Sequence, residues 1–424
     1  PKDGGKLRAE IDLDTYDEPF EGVLVLKSSV LLQDYEQKIS VMTSNSRKTI
    51  VAEDLLISSS AANWDEYDGK LYELTAALYK NDLQSSESEI NQKEDEKTVS
   101  FGIRTFDDDG YGHLSLNGRR IFLRSEANCA EFPETGYIPM EKEAWKNILQ
   151  TYKDYGINMV RFHSHCPPEA AFFAADEMGI LMQPELSHWD PKHAFEFDES
   201  FSYYQKELRQ IIKALANHPS FVMLTFGNEL YANASNAHYG NEGCDEESDF
   251  YASQSFYNYR IRGTLAGNPE TPEEAAKVDA YEKANGKLAK VNIKGYINNQ
   301  YPNAKTNFDE TLRKIREQYK KPVFSFEVGQ FEVLPDFDEL AHFKGISDPA
   351  NYRRIQCMVR EKGLEPVWKK YVEATGELSR LCYREEIEAA MRTKDLSGIS
   401  LLGLQDFPGP GTALGGMLDS QFEP

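Results

Sequence analysis

The 424 residues include 40% hydrophobic and 28% charged side chains, enough apolar material for a sizeable core and too much chain for one ordinary domain. Against 47 basic residues stand 70 acidic ones, a formal net charge of −23. Such a surface repels phosphate backbones and anionic membranes, which argues against a nucleic-acid or membrane partner.

The first stretch with a clear pattern runs from residue 19 to about residue 104 and reads as strands. Phe20 to Leu26 alternates apolar with small or polar residues, and Lys38–Met42, Thr49–Ile57 and Lys70–Tyr79 follow at short spacing. Gln84 to Lys97 is charged and serine-rich and reads as a solvated hairpin loop, with Thr98–Thr105 as the last strand. Closely spaced strands separated by Asn/Ser/Asp/Gly clusters predict a β-sandwich over residues 1–104. Its first 18 or so residues are expected to be a remnant of a preceding domain.

From Leu114 the rhythm changes, and residues 105–424 are predicted to form one α/β domain. Ile121–Arg124 is a strand, and Glu141–Tyr155 a helix with Ala144, Trp145, Ile148, Leu149 and Tyr152 on one face. Asn158–Phe162 is a strand, Pro168–Met178 a helix and Ile180–Pro184 a strand. Ser202–Ala216 is a helix, followed by the strand Phe221–Phe226. Pro322–Phe326 and Gly398–Leu404 are later strands of the same kind. This alternation predicts a parallel sheet covered by helices, and the polar cluster after each apolar strand favours a (β/α)8 TIM barrel over an open sheet. Gly263–Asn292 interrupts the rhythm as an insertion or a loop-helix-loop, and Gln330–Glu388 as a long excursion between two strands.

The cysteines (Cys129, Cys166, Cys244, Cys357, Cys382) are scattered and odd in number, without metal-ligand spacing. Neither a disulfide framework nor a zinc cluster is expected. No signal peptide is visible, which with free thiols gives a cytoplasmic expectation. The chain opens on Pro1 rather than Met, so it is expected to be a fragment or trimmed sequence, and a periplasmic or secreted home stays open.

In such a barrel, function sits at the C-terminal ends of the strands. The first strand supplies Arg124, Glu126, Asn128 and Glu131, the second Arg161, His163 and His165, and the third Glu185 and His188. The fourth supplies Asn228 and Glu229, a later one Glu327, and the last Gln405 and Asp406. Among 70 acids any one Glu is a surface residue by default, and the histidines have a bland reading as packing groups. A whole set in register at strand ends is harder to dismiss. Glycosidic cleavage needs two carboxyl groups about the anomeric carbon, one to protonate the leaving oxygen and one to attack or to activate water. FVMLTFGNEL puts Glu229 after one apolar strand, and KPVFSFEVGQ puts Glu327 after another. Glu332 and Asp406 are the competing candidates for nucleophile.

These motifs resemble glycoside hydrolase family 2, the β-galactosidases, β-glucuronidases and β-mannosidases, and β-galactosidase-like members most of all. The resemblance runs from roughly Glu18 to Ser420. FGIRTF looks like the family's exit from an immunoglobulin-like domain, and LNGRRIFLR like its approach to the barrel. GINMVRFHSHCPP, MGILMQPE, FGNE and SFEVG then resemble its second and third strands, its acid/base motif and its nucleophile strand. The resemblance implies an immunoglobulin-like domain before the TIM barrel and a retaining exo-glycosidase acting on terminal β-glycosidic bonds. Glu229 would be the acid/base and Glu327 the nucleophile. Asn228 would bind the sugar 2-hydroxyl, Arg161 would orient Glu327, and His163 or His165 would contact sugar hydroxyls. Tyr296 or Tyr301 would donate to the nucleophile, and Glu185, Gln405 and Asp406 complete the expected substrate site.

The sequence departs from the family in several places. Arg124-Ser125 stands where Arg-Gly is usual, and Gln405-Asp406-Phe407 where many members carry a Trp. The Asn-x-Lys carboxylate reader of β-glucuronidases is not visible after Glu327, and Asn292-Ile293-Lys294 lies before it. The sugar is therefore open. An α-L-arabinosidase or α-L-rhamnosidase on the same fold is the alternative, as is an inactive truncated barrel that only binds glycan. The expected partner is a carbohydrate, with homo-oligomerisation open. No organic cofactor or zinc is expected, because there is no phosphate-cradling Gly-rich loop and no zinc cluster. A structural or substrate-side cation stays open.

Overall fold

The computed structural model describes residues 5–41, 47–80, 92–232, 237–239, 251–252, 304–305, 307–318, 320–329, 331–344, 348–406 and 415–424. It divides into two compact units. One comprises Pro1–Arg104 with Asp176–Gly179 and Ala214–Pro219, and the other Thr105–Ala175, Ile180–Lys213 and Ser220–Pro424.

The first unit is built from β1 (Lys6–Asp14), β2 (Phe20–Lys27), β3 (Tyr35–Val41), β4 (Arg47–Leu56), β5 (Tyr72–Lys80) and β6 (Gln92–Phe101). β1 pairs antiparallel with β4, and the other four form an antiparallel sheet in the order β3-β2-β5-β6. Leu24, Leu26, Ile39, Val41 and Leu78 from the larger sheet share one core with Ile50, Ala52 and Leu55 from β4. The alternation of β4 would turn Leu55 outward. A bulge opposite Arg8, where Asp54 takes φ 59°, adds the extra residue that brings Leu55 back inside.

Two expectations are corrected here. Residues 6–14 are the first strand of this sandwich, not a remnant outside it, because Leu7, Ala9, Ile11 and Leu13 alternate onto its core. The charged stretch read as loop becomes strand from Gln92. β6 is an edge strand whose first seven residues are exposed, so its side chains need not be apolar.

The second unit opens with a small antiparallel sheet of β7 (Phe106–Asp108), β8 (Leu114–Leu116) and β9 (Arg119–Arg120). Strands and helices then alternate: β10 (Leu123–Asn128), α1 (Lys142–Asp154), β11 (Met159–Phe162), α2 (Glu169–Met178), β12 (Leu181–Gln183) and α3 (Asp198–Leu215). A short hairpin of β13 (Leu230–Ala232) and β14 (Ala237–Tyr239) and the strand β15 (Tyr251–Ala252) precede α4 (Asp309–Gln318). β16 (Val323–Gly329), α5 (Ala350–Glu361), α6 (Glu365–Arg392) and β17 (Gly398–Leu402) follow. The stretch 331–388, read as an excursion, is therefore largely helical.

Six strands make one sheet in the order β12-β11-β10-β17-β16-β15, and every pairing in it is parallel. The sheet continues beyond β12 through parallel bridges Met182–Phe221, Glu185–Thr225 and Trp189–Asn228, so the strand expected at Phe221–Phe226 is an irregular one. β11, β12 and β16 are buried along their whole lengths, as strands covered on both faces must be. α1 is fixed by burying Trp145, Leu149 and Tyr152, spaced to lie on one face.

Candidate active site

The chain order of a parallel sheet brings the carboxyl ends of its strands to one edge, and the polar residues gather there. At the centre is Arg161 on β11, 1% exposed. Its Nε donates to Glu185 Oε1 at 2.8 Å, its Nη1 to Glu327 Oε1 at 2.9 Å and its Nη2 to Asn228 Oδ1 at 2.7 Å. Three sequence-predicted residues from three other stretches of chain therefore meet on the guanidinium of a fourth. Burial works against a charge on Arg161, but the carboxylates of Glu185 and Glu327 more than offset it and raise its pKa.

Glu185 is fully buried and also accepts from the Ser164 amide at 2.7 Å and the Thr225 hydroxyl at 3.0 Å. Burial would raise its pKa, yet the charge and hydrogen bonds of Arg161 together with the Ser164 amide hold it below the ordinary value. It is an ionised anchor for the arginine with its lone pairs already committed.

Glu327 sits where β16 slips against β17. Ser325 pairs with Ile399 and Val328 with Leu401, so Phe326 and Glu327 together oppose one residue. This bulge, with Glu327 at φ 51°, aims the carboxyl out of the strand's alternation. Glu229, at φ 46°, also occupies left-handed backbone at its strand end. Such conformations cost a non-glycine residue of the order of 1–3 kcal/mol and persist where the surroundings enforce them.

Gly227, before Asn228 and Glu229, takes φ 132°, and a Cβ there would lie 2.2 Å from the His188 carbonyl oxygen. That close approach lets the Asn228 amide donate to the His188 carbonyl at 2.9 Å, fixing the Asn-Glu pair against the loop after β12.

His163 Nε2 lies 3.8 Å from Glu327 Oε1. Burial and the charge of Arg161 push the His163 pKa down to about 4, so the ring is neutral at ordinary pH. Its edge meets the ring of Trp189 at 5.0 Å between centroids. The indole N–H of Trp189 in turn donates to Glu229 Oε2 at 2.8 Å. Sequence reasoning missed Trp189. The available signal was its place in ELSHWD, directly following His188 at the third strand end.

The other predicted residues divide. His165 turns its Nδ1 to the His163 carbonyl at 3.0 Å and packs edge-on against Phe162. Gln405 spends its side-chain amide on the carbonyls of Glu131 and Ser420, anchoring the C-terminal segment. Asp406 accepts from the Gly416 amide at 3.3 Å. Glu332 is exposed beyond β16. Arg124 lies at the opposite edge of the sheet, where its Nε bonds the Gly156 carbonyl ahead of β11. Tyr296 and Tyr301 lie outside the described residues. Glu126 is buried and accepts the amides of Leu404 at 2.6 Å and Gln405 at 3.2 Å, tying β10 to the end of β17. Among the described residues no group of His, Cys, Asp and Glu is arranged to hold a metal ion.

No family model matches the chain. A putative β-glucuronidase from Formosa agariphila is 31% identical over 148 residues, 33% of this chain and 14% of that protein. A β-galactosidase from Bacteroides ovatus is 28% identical over 226 residues, 51% of this chain and 25% of that protein. The chain thus spans a quarter or less of the length of these curated relatives. Among solved structures, a Bacteroides uniformis β-glucuronidase superposes with TM-score 0.61 at 14% identity, covering 99% of this chain and 47% of that one. A family 2 β-galacturonidase from Eisenbergiella tayi gives 0.60 at 17% identity, covering 100% and 68%. The ordered motifs and the curated relatives make the chain similar to glycoside hydrolase family 2, and the solved structures share its fold.

Proposed function

We propose that this chain carries the catalytic site of a retaining exo-glycosidase acting on terminal β-glycosidic bonds, on a parallel sheet that forms part of an eightfold barrel. Glu229 is the acid/base and Glu327 the nucleophile. The observation that carries the reading is the Arg161 fork, which bonds Glu327 with one nitrogen and the neighbour of Glu229 with another. Glu327 and the residue preceding Glu229 are thereby tied to one rigid cation, which supports the short carboxyl separation of about 5–5.5 Å that a double displacement requires.

In the first step Glu327 attacks the anomeric carbon while Glu229 gives its proton to the leaving oxygen. In the second, water attacks the glycosyl-enzyme and Glu229 takes the water's proton. Arg161 orients Glu327 and offsets its charge, and neutral His163 beside it can hydrogen-bond a sugar hydroxyl without adding a competing cation. Asn228 is assigned to the sugar 2-hydroxyl. None of these steps draws on an organic cofactor or zinc.

The relatives' names include galactosidases, glucuronidases and a galacturonidase, so the glycone is read by a panel of p-nitrophenyl glycosides that includes all three. A 2-deoxy-2-fluoro glycoside of the sugar so found should then label the nucleophile covalently. Mass spectrometry is expected to find the label on Glu327. A label on Glu332 or Asp406, or an inverted product by NMR, overturns the assignment.

A further inference from the structure

Trp189 is 58% exposed, an unusual state for the largest apolar side chain. The loop around it is well packed without it: the His188 ring stacks on Tyr204 at 4.0 Å, and Phe195 packs against His188, Tyr204 and Phe226. Trp189 stands outside that cluster. It is held instead by its hydrogen bond to Glu229 Oε2 and its edge contact with His163, which itself lies beside Glu327.

An acid/base carboxyl has to reach the oxygen that leaves. A ring hydrogen-bonded to that carboxyl therefore borders whatever is attached to the leaving oxygen. We propose that Trp189 determines specificity on the leaving-group side, its exposed indole face stacking on a sugar or aryl ring there while its N–H positions Glu229. The substrate class implied is a glycoside whose leaving group is itself a ring, rather than an alkyl glycoside. Burying the exposed face under such a ring supplies binding that a methyl group cannot. This inference rests on Glu229 being the acid/base.

The test compares the full chain with Trp189→Ala and Trp189→Phe on three β-glycosides of the sugar that the panel selects: methyl, p-nitrophenyl and a disaccharide. For Trp189→Ala, KM is expected to rise about threefold to tenfold on the two ring-bearing substrates, the worth of one aromatic contact, and to change little on the methyl glycoside. Trp189→Phe keeps a ring and should restore KM. Having lost the N–H, it should still show a reduced kcat on the methyl glycoside and disaccharide, which need a proton, but not on the p-nitrophenyl glycoside, which hardly does. Calorimetry on Glu327→Gln, with and without Trp189→Ala, reads the disaccharide-over-methyl binding preference without turnover. Equal KM changes on all three substrates, or a binding preference that survives Trp189→Ala, overturns the proposal. If Glu229→Ala hydrolyses the methyl glycoside as fast as the unaltered chain, the acid/base reading itself has failed, a result distinct from either.

Discussion

Arg161 Nη1 donates to Glu327 Oε1 at 2.9 Å across 166 residues of chain, and both groups are buried. The bond joins β11 to β16, which are not neighbours in the sheet. The same guanidinium holds Glu185 and Asn228, so its planar fork does what a point charge cannot. Arg161→Lys keeps the charge but cannot make the three contacts at once. The expected outcome is a kcat lower by about 100-fold, as for a misplacement near 1 Å, in a chain that still folds. Arg161→Met leaves two buried carboxylates without their cation and should destabilise the fold by about 3–5 kcal/mol. Urea titration and steady-state kinetics check both.

Glu229 as acid/base makes a graded prediction. Glu229→Ala should lose most turnover on glycosides with poor leaving groups and much less on activated aryl glycosides, which need little protonation. Added azide should restore turnover by attacking the glycosyl-enzyme in place of base-activated water. Equal loss on both substrate types counts against the role.

Gly227→Ala tests how the Asn-Glu pair is held. A methyl group 2.2 Å from the His188 carbonyl oxygen cannot be accommodated, and φ 132° disfavours any side chain. The loop after β12 or the Asn228–Glu229 segment must move. The expected outcome is a stability loss of about 1–3 kcal/mol together with a fall in kcat/KM larger than that in binding. Thermal melts and kinetics on the same sample check it. Unchanged kinetics would show that this approach does not set the site.

Glu126 predicts a pH dependence of stability. Burial pushes its carboxyl up to about 8 from the ordinary 4.5, against the opposing pull of the Leu404, Gln405 and Ala127 amides. Between these values the folded protein keeps a proton that the unfolded chain has lost. The contribution is therefore fully present below about pH 4.5 and is lost as pH rises through about 8, at no more than about 1.4 kcal/mol per pH unit. Glu126→Gln cannot titrate. The difference in urea midpoint between the unaltered chain and Glu126→Gln should shrink or reverse from pH 5 to pH 8, and a constant difference would refute the shift.

Much of this molecule is legible in one dimension because the relevant physics is local. Alternation in Phe20–Leu26, the apolar face of Glu141–Tyr155 and the apolar runs before Arg161, Glu185, Asn228 and Glu327 reflect repeat distances of strand and helix. A parallel sheet then puts all its strand ends on one edge, so residues placed after strands in the sequence meet in space. That is why Arg161, Glu185, Asn228 and Glu327 could be named together before their contacts were seen.

What the tertiary structure alone decided depends on contacts between distant segments. The left-handed backbone at Glu229 and the bulge at Glu327 arise from how neighbouring strands pair, and no periodicity in either strand announces them. The division of polar residues is of the same kind. Gln405 and Glu185 both follow strands, yet one spends its amide on the Glu131 and Ser420 carbonyls and the other accepts the central arginine. Strand position says that a side chain is near the edge of the sheet. Only the packing of the chain's other segments fixes which donor or acceptor it meets, and that packing left Trp189 with Glu229 as its partner.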